Sequence, residues 1–298
     1  MIGRVRRRRD AVDLTKIIRK ENLVYSGKSK DIYRIPGGPW KGKYAFVFTD
    51  RGTGYLDKAG RPVFDPGYDS VVGEIPGKGA IAGRFATRFF NLTASKRIPS
   101  HFIASVRDEV MIVEPAVPLG LPEQAPEFEG SAPLLNLEWT WRNNATGSFW
   151  RRYPFVRPCQ GLDRVVEAWT KGDSDTLITF ESLVAAGVMT RKEVVWTEAF
   201  VKRIAAVVTE EMASRGLHLI DGKIELGRLK GGDGRIVLID EISPDVLRVC
   251  KGYAPDGKNG CRKSRTCIRT SQAGNVRKIS GKNVLTAAQL EEVFRTAG

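Results

Sequence analysis

In the stretch "LHLIDGKIELGRL", Asp221, Lys223 and Glu225 occupy alternate positions, so a strand would point all three to one side. The following "KGGDG" predicts a β-hairpin turn, and its partner segment "GRIVLIDEI" brings Asp240 roughly opposite Lys223 or Glu225. Facing Cβ atoms on paired strands lie about 5 Å apart. Carboxylates at that spacing raise one another's pKa unless a cation neutralises them. Oxygen ligands of this kind suit Mg²⁺, which one or two carboxylates hold together with substrate phosphates. The plainer reading is a solvated hairpin face with a salt-bridging lysine. Against it, Ile236 to Ile239 is apolar on both faces and implies burial, and the acids gather at its end: "LIDEISPDVLR" adds Glu241, Asp245 and Arg248.

Three further constellations carry charge. In "YSGKSKDIY", Lys28 and Lys30 flank Ser29 after a glycine turn, a plausible clamp for nucleotide phosphates or, equally, a solvated strand edge. "IPGKGAI" sets Lys78 between two glycines ahead of a helix, where free N–H groups favour an anion, although a simple turn has the same composition. "EWTWRNNATGS" combines Glu138, Arg142 and Ser148; the arginine can hold a phosphate bidentately or form a structural salt bridge at a strand end. Other chemistries find no footing. "GGPWKGKY" fails as a Walker loop at Tyr44, no GxSxG or HExxH occurs, and His101 in "IPSHFI" reads as a core or turn residue.

The elements that must position these residues alternate short strands with two clear helices, an α+β pattern with antiparallel sheets. "LVYSGKSKDIYRI" predicts two strands around a Gly-Lys turn, and "KYAFVFTDRGTGYL" a further strand that breaks at Asp50. Ile81, Phe85, Phe89 and Leu92 recur at helical spacing after the "IPGKG" turn. "LLNLEWTWRN" has strand alternation. Val195, Ala199, Ile204, Val208 and Met212 form the apolar stripe of a second helix that Gly216 ends. The Pro/Gly-rich "EPAVPLGLPEQAPEFEGSAP" is the best linker, which divides the chain into a basic leader (1–20), an N-terminal domain (21–115) and a larger domain (116–298).

At 298 residues with 42% apolar content the chain can bury a substantial core. No apolar run reaches the roughly 20 residues that cross a bilayer, and a cytoplasmic protein with no membrane contact is expected. The four cysteines are too few and scattered for a disulfide scaffold, and without a CxxC pair they give little ground for zinc. The net charge of +14 sits wholly at the ends: 1–20 holds eight basic against two acidic residues, and 246–298 eleven against three. Such ends can hold a polyanion or be merely solvated.

Taken in order, "YSGKSKDIY", "IPGKG", "SHF", "LEWTWRNNATGS", "DGKIELG" and "DEISPDVLR" resemble the SAICAR synthetase family, over roughly residues 22 to 249. The last two motifs, at this separation, are close to the family's DxKxEFG and DEISPDxxR signatures. The resemblance implies a two-domain fold with the ATP site in the interdomain cleft. It implies ATP and Mg²⁺ as cofactors, and a reaction in which the carboxylate of an aminoimidazole ribonucleotide (CAIR) is phosphorylated and then captured by the amine of L-aspartate. By resemblance, Lys28 and Lys30 contact ATP phosphates, with Glu138 at the nucleotide site, and Glu225 and Asp240 hold Mg²⁺. Lys223 lies by the transferred group; Asp221 and Asp245 support the site. Arg142, Ser148 and Arg248 bind the substrate's ribose phosphate, and Lys78 lies near the substrate.

The chain also departs from the family. Arg248 leads into "VCKGYAPDGKNGCRKSR" without the family's Trp-Asp, "KGDSDTL" replaces its Asp-Pro segment, and Leu226 stands for its phenylalanine. Two alternatives therefore accompany the main reading. One is a paralogous ligase acting on a different carboxylate or amine in modified nucleoside, nucleotide or antibiotic biosynthesis. The other is a polyanion-binding module on an inactive ligase fold. An oligomer is compatible with either.

Overall fold

The computed structural model describes residues 13–64, 68, 70–119, 137–171, 175–251, 267–269 and 287–296. The basic leader up to residue 12, most of the linker (120–136) and most of the basic segment beyond 251 lie outside the described residues.

After a short helix α1 (Leu14–Ile17), an antiparallel sheet is built from β1 (Leu23–Ser26), β2 (Lys30–Arg34) and β3 (Tyr44–Phe48). Strands β4 (Arg51–Leu56), β5 (Pro62–Phe64) and β6 (Val71–Glu74) form a small separate sheet; α2 (Lys78–Ser95) follows. Then β7 (Phe102–Arg107) and β8 (Val110–Val113) complete the first sheet in the order β1-β2-β3-β8-β7. The Gly-Lys turn, the break at Asp50 and the helix after "IPGKG" stand where the sequence places them.

The break at Asp50 has a purpose. Its carboxylate accepts from the amides of Gly77 (3.0 Å) and Gly79 (2.9 Å), taking up donors that the start of α2 would leave unpaired. Gly79 lets the helix press on β3: a Cβ there would lie 2.6 Å from the Phe48 carbonyl oxygen. Lys78 is thereby fixed at the first turn.

The second sheet holds β9 (Ala116–Pro118), β10 (Leu137–Asn144), β11 (Gly161–Thr170), β12 (Leu177–Ile178), β13 (Leu217–Leu229), β14 (Ile236–Ile239), β15 (Leu247–Lys251) and β16 (Cys267–Arg269). Its main path runs β12-β11-β10-β13-β15-β16, with β14 and β9 both paired to β13. Part of the expected linker is thus a strand, since β9 pairs with Gly227 to Leu229. Between strands lie α3 (Gly147–Arg152), α4 (Phe180–Ala185) and α5 (Arg191–Ala213); α6 (Ala287–Thr296) ends the described chain.

Helix α5 begins with a capping box, in which Thr190 and Glu193 each accept the other's backbone amide. The expected stripe holds at Ile204, Val208 and Met212, which are buried, but not at its start: Val195 is 62% exposed and Ala199 is also outside. Val194, Thr197, Phe200 and Val201 face inward instead. At about 100° per residue, one step from Val194 to Val195 suffices to rotate a side chain out of the core. The core face of α5 packs on Trp139, Trp141, Val166, Ala168 and Ile224 from the second sheet, in a cluster that continues to Phe85 and Phe89 of α2 and Phe46 of the first sheet.

Strand β10 differs from a half-solvated strand in one respect. Its polar positions Glu138, Thr140 and Arg142 are buried along with its tryptophans, because each charge meets an opposite charge on a neighbouring strand.

Candidate active site

The register of three central strands puts the charged residues on one face. Across β10 and β13, Glu138 faces Glu225, Thr140 faces Lys223 and Arg142 faces Asp221. Across β10 and β11, Glu138 faces Trp169 and Thr140 faces Glu167. The intervening residues, Trp139, Trp141 and Ile224, turn to the opposite face and the core. Two-residue periodicity thus separates chemistry from packing on the same strands.

At one end of this face the two sheets meet. Ile239, not Asp240, stands opposite Glu225; Asp240 comes one residue later and leaves the strand in a left-handed conformation with φ of 65°. That turn carries it to Lys30, whose Nζ lies 2.8 Å from Asp240 and 2.6 Å from Glu241. Burial disfavours the Lys30 ammonium, but the two carboxylates outweigh it and hold the pKa above its ordinary value. Glu241 also accepts from Ser29 Oγ at 3.3 Å, and its Oε2 is buried with no hydrogen-bond partner. Lys28 is exposed, two residues before Lys30 on the turn.

Glu225 and Asp240 form the carboxylate pair expected from the hairpin. Burial and then the charge of Asp240 push the Glu225 carboxyl above the usual range, while Lys171, ion-paired to Glu225, opposes them. Asp240 is lowered, since Lys30 and Lys171 outweigh its burial. Next along the face, Lys223 donates to the buried Glu138 at 2.7 Å. Burial works against its charge and Glu138 restores it, so its pKa is raised.

The far end of the face is a network of arginines. Arg142 donates from Nε to Glu167 (3.0 Å), from Nη1 to Asp221 (2.8 Å) and from Nη2 to Ser148 Oγ (3.2 Å). Arg248 grips Asp221 with two nitrogens, Nε at 2.6 Å and Nη2. Asp221 is buried, yet Arg248 and Arg142 overcome that burial and hold its carboxyl below the usual carboxylate range. Gly147, at φ of 54°, lies against Arg248: a Cβ there would come within 2.7 Å of Nη1. Lys78 and Asp245 form a separate buried ion pair at 2.7 Å, an ionic contact rather than an aligned hydrogen bond.

His101 is buried between Phe46 and Phe90. Burial pushes its imidazole down to about 4, so it is neutral, and it hydrogen-bonds the backbone of Asp240. It is a core residue, as the sequence indicates, that also braces the turn.

Sequence reasoning assigned no role to Glu241, Lys171, Glu167 or Arg152. Glu241 lies inside "DEISPD" and Lys171 heads "KGDSDTL", so both have a motif as their neighbourhood signal. Glu167, in the unremarkable "DRVVEAWT", offered no signal beyond a lone acid in an apolar strand.

Comparison with known proteins bears on the family and the fold. The chain matches the SAICAR synthetase family model over residues 23–282. Phosphoribosylaminoimidazole-succinocarboxamide synthase of Clostridium tetani is 35% identical over 234 residues, 77% of this chain and 92% of the relative. The enzyme of that name from Pyrobaculum calidifontis is 30% identical over 249 residues, 83% and 89% of the two chains. Among solved structures, SAICAR synthetase (Type-2) in complex with ADP superposes with a TM-score of 0.59 at 26% identity, covering 76% of this chain and 83% of that one. The Saccharomyces cerevisiae SAICAR-synthase complexed with SAICAR shares the fold at 20% identity, with a TM-score of 0.57 and coverage of 78% and 77%.

Fold and likeness together define an ATP-dependent carbon–nitrogen ligase. The chain belongs to the SAICAR synthetase family.

Proposed function

We propose that this chain joins the carboxylate of CAIR to the amine of L-aspartate with cleavage of ATP, giving SAICAR, ADP and phosphate. A carboxylate oxygen attacks the γ-phosphorus and ADP leaves; the aspartate nitrogen then attacks the acyl carbon, phosphate leaves and the nitrogen gives up its proton. Negative charge accumulates throughout, so the chemistry calls for fixed cations rather than a side-chain nucleophile.

The observation that carries this reading is the division of one sheet face into two sites. Two neighbouring carboxylates, Glu225 and Asp240, lie with Lys30 and Lys171 at one end, and Arg142, Arg248 and Ser148 gather at the other. Lys30, with Lys28 on the turn before it, serves the ATP phosphates. Arg142, Arg248 and Ser148 take the ribose phosphate, held in place by Asp221. Lys223 and Glu138 stand between the two ends, where the phosphoryl group passes to the carboxylate. Lys78, anchored by Asp245, borders the substrate.

Glu225 and Asp240 also fit Mg²⁺. Among the described residues no cluster of three or more metal-ligating side chains forms, and a pair is what Mg²⁺ takes from a protein when phosphates and water complete its shell. Burial first, and then the charge of Asp240, raise the Glu225 carboxyl, and a bound cation would offset both. When bound, Mg²⁺ supplies charge neutralisation at the phosphate oxygens.

The test is ADP formation with CAIR, L-aspartate and Mg²⁺, with the product mass measured. Turnover to SAICAR supports the assignment; no turnover with this pair, alongside turnover on another carboxylate or amine, refutes it in favour of a paralogous ligase.

A further inference from the structure

Arg152, the last residue of α3, belongs to the arginine network without being needed to complete any hydrogen bond of Arg142 or Arg248. Its guanidinium is ion-paired to Glu167 Oε1, while Arg142 Nε holds the other oxygen of the same buried carboxylate. Both guanidiniums lie near one indole, with Cζ of Arg152 4.8 Å and Cζ of Arg142 5.9 Å from the Trp169 ring centroid. The indole is itself fixed, since Trp169 Nε1 donates 2.9 Å to Thr140 Oγ1. Arg152 Nη2 donates to Glu167 Oε1 while its Nε is buried with no hydrogen-bond partner, so the side chain's place is set by Glu167 and the indole.

The consequence lies in the charge. Arg142 and Arg248 are matched one for one by Asp221 and Glu167, so these four groups offer donors but no net charge. Arg152 is the fifth member and brings these groups, counted among the described residues, to a net +1. Its side chain keeps 26% of its surface exposed, whereas Glu167 keeps 6%. A phosphate dianion approaching the network therefore meets the field of this arginine at low dielectric, where charge acts strongly.

We propose that Arg152 is a positioning residue for the nucleotide substrate: through Glu167 it orients Arg142, and it supplies the net positive charge that makes this end of the face an anion site. The inference rests on the assignment of Arg142, Ser148 and Arg248 to the ribose phosphate.

Steady-state kinetics of the full chain test it, with CAIR and ATP varied separately. Arg152→Gln keeps a donor for Glu167 but removes the charge; it should raise KM for CAIR roughly tenfold, with KM for ATP unchanged. Arg152→Lys, which keeps the charge, should recover most of that loss. With the dephosphorylated nucleoside of CAIR as substrate, wild type and Arg152→Gln should perform alike. An unchanged KM for CAIR in Arg152→Gln, an equal rise in KM for ATP, or an Arg152→Lys variant as impaired as Arg152→Gln overturns the inference. Arg248→Met separates the two levels. If it raises KM for CAIR and Arg152→Gln does not, only the role of Arg152 fails; if it leaves that KM unchanged, the phosphate site itself is misassigned. Thermal melts accompany each variant, and the nucleoside comparison within one variant is independent of any loss of folded protein.

Discussion

Replacing Asp221 by asparagine removes one negative charge from between two guanidinium groups while preserving the side-chain shape. Asp221 is 3% exposed, and its carboxylate accepts from Arg142 Nη1 at 2.8 Å, from Arg248 Nε at 2.6 Å and from Arg248 Nη2. An amide in its place keeps one acceptor and turns an NH₂ group toward a cation, leaving Arg248 without its carboxylate. Breaking a buried pair by removing one partner costs about 3–5 kcal/mol. At the lower figure the thermal midpoint should fall by roughly 6–12 °C in a chain of this size. Differential scanning fluorimetry of Asp221→Asn, Arg248→Met and the double variant measures this. The double variant should lose less than the sum, because Arg248→Met removes the stranded charge. The effect should also depend on pH. A carboxyl held below the ordinary range contributes its full stability above the unfolded-state pKa, near 4, and loses it as pH falls through the folded-state value. The gap between wild type and Asp221→Asn should therefore be widest near neutral pH and close in acid. A midpoint equal to wild type at pH 7, or strict additivity in the double variant, would refute the reasoning.

Three other predictions follow from the geometry. Glu225→Gln should abolish Mg²⁺-dependent ADP formation with little change in thermal midpoint, since the neutral amide relieves repulsion from Asp240 while losing Lys171; near-normal turnover would count against the metal assignment. Gly147→Ala places a Cβ within 2.7 Å of Arg248 Nη1 at a left-handed position. It should cost about 1–2 kcal/mol from the backbone alone and raise KM for CAIR, an outcome that titration or kinetics checks directly. Phe294 of α6 is buried, with its ring 4.2 Å from Arg215 Cζ and 4.9 Å from Arg88 Cζ. Phe294→Ala should cost about 3–5 kcal/mol and expose α6 to limited proteolysis; an unchanged midpoint and cleavage pattern would show that the helix contributes nothing to the fold.

Local sequence set the main elements and the direction of the charged side chains on the hairpin. Alternation in "DGKIELG" put Asp221, Lys223 and Glu225 on one face, and they share it in the structure, because side-chain direction in a strand is a local property with a period of two. The turn residues of "KGGDG" and the apolar run before Asp240 were equally local, and the hairpin formed as they require. The ordered motifs likewise carried the family, and the family model matches residues 23–282, which contain them. What only the tertiary structure decided is which opposite charges meet. Lys30 reaches Glu241 across 211 residues, Arg142 reaches Asp221 across 79, and Lys171 reaches Glu225 across 54. Nothing near any of these residues in the chain names its partner. The inward turn of Val194 rather than Val195, the left-handed step at Asp240 and the burial of Glu167 between two arginines have the same origin. Each is fixed by elements packing from elsewhere in the fold, where the cost of burying a charge is met by a charge that sequence proximity does not reveal.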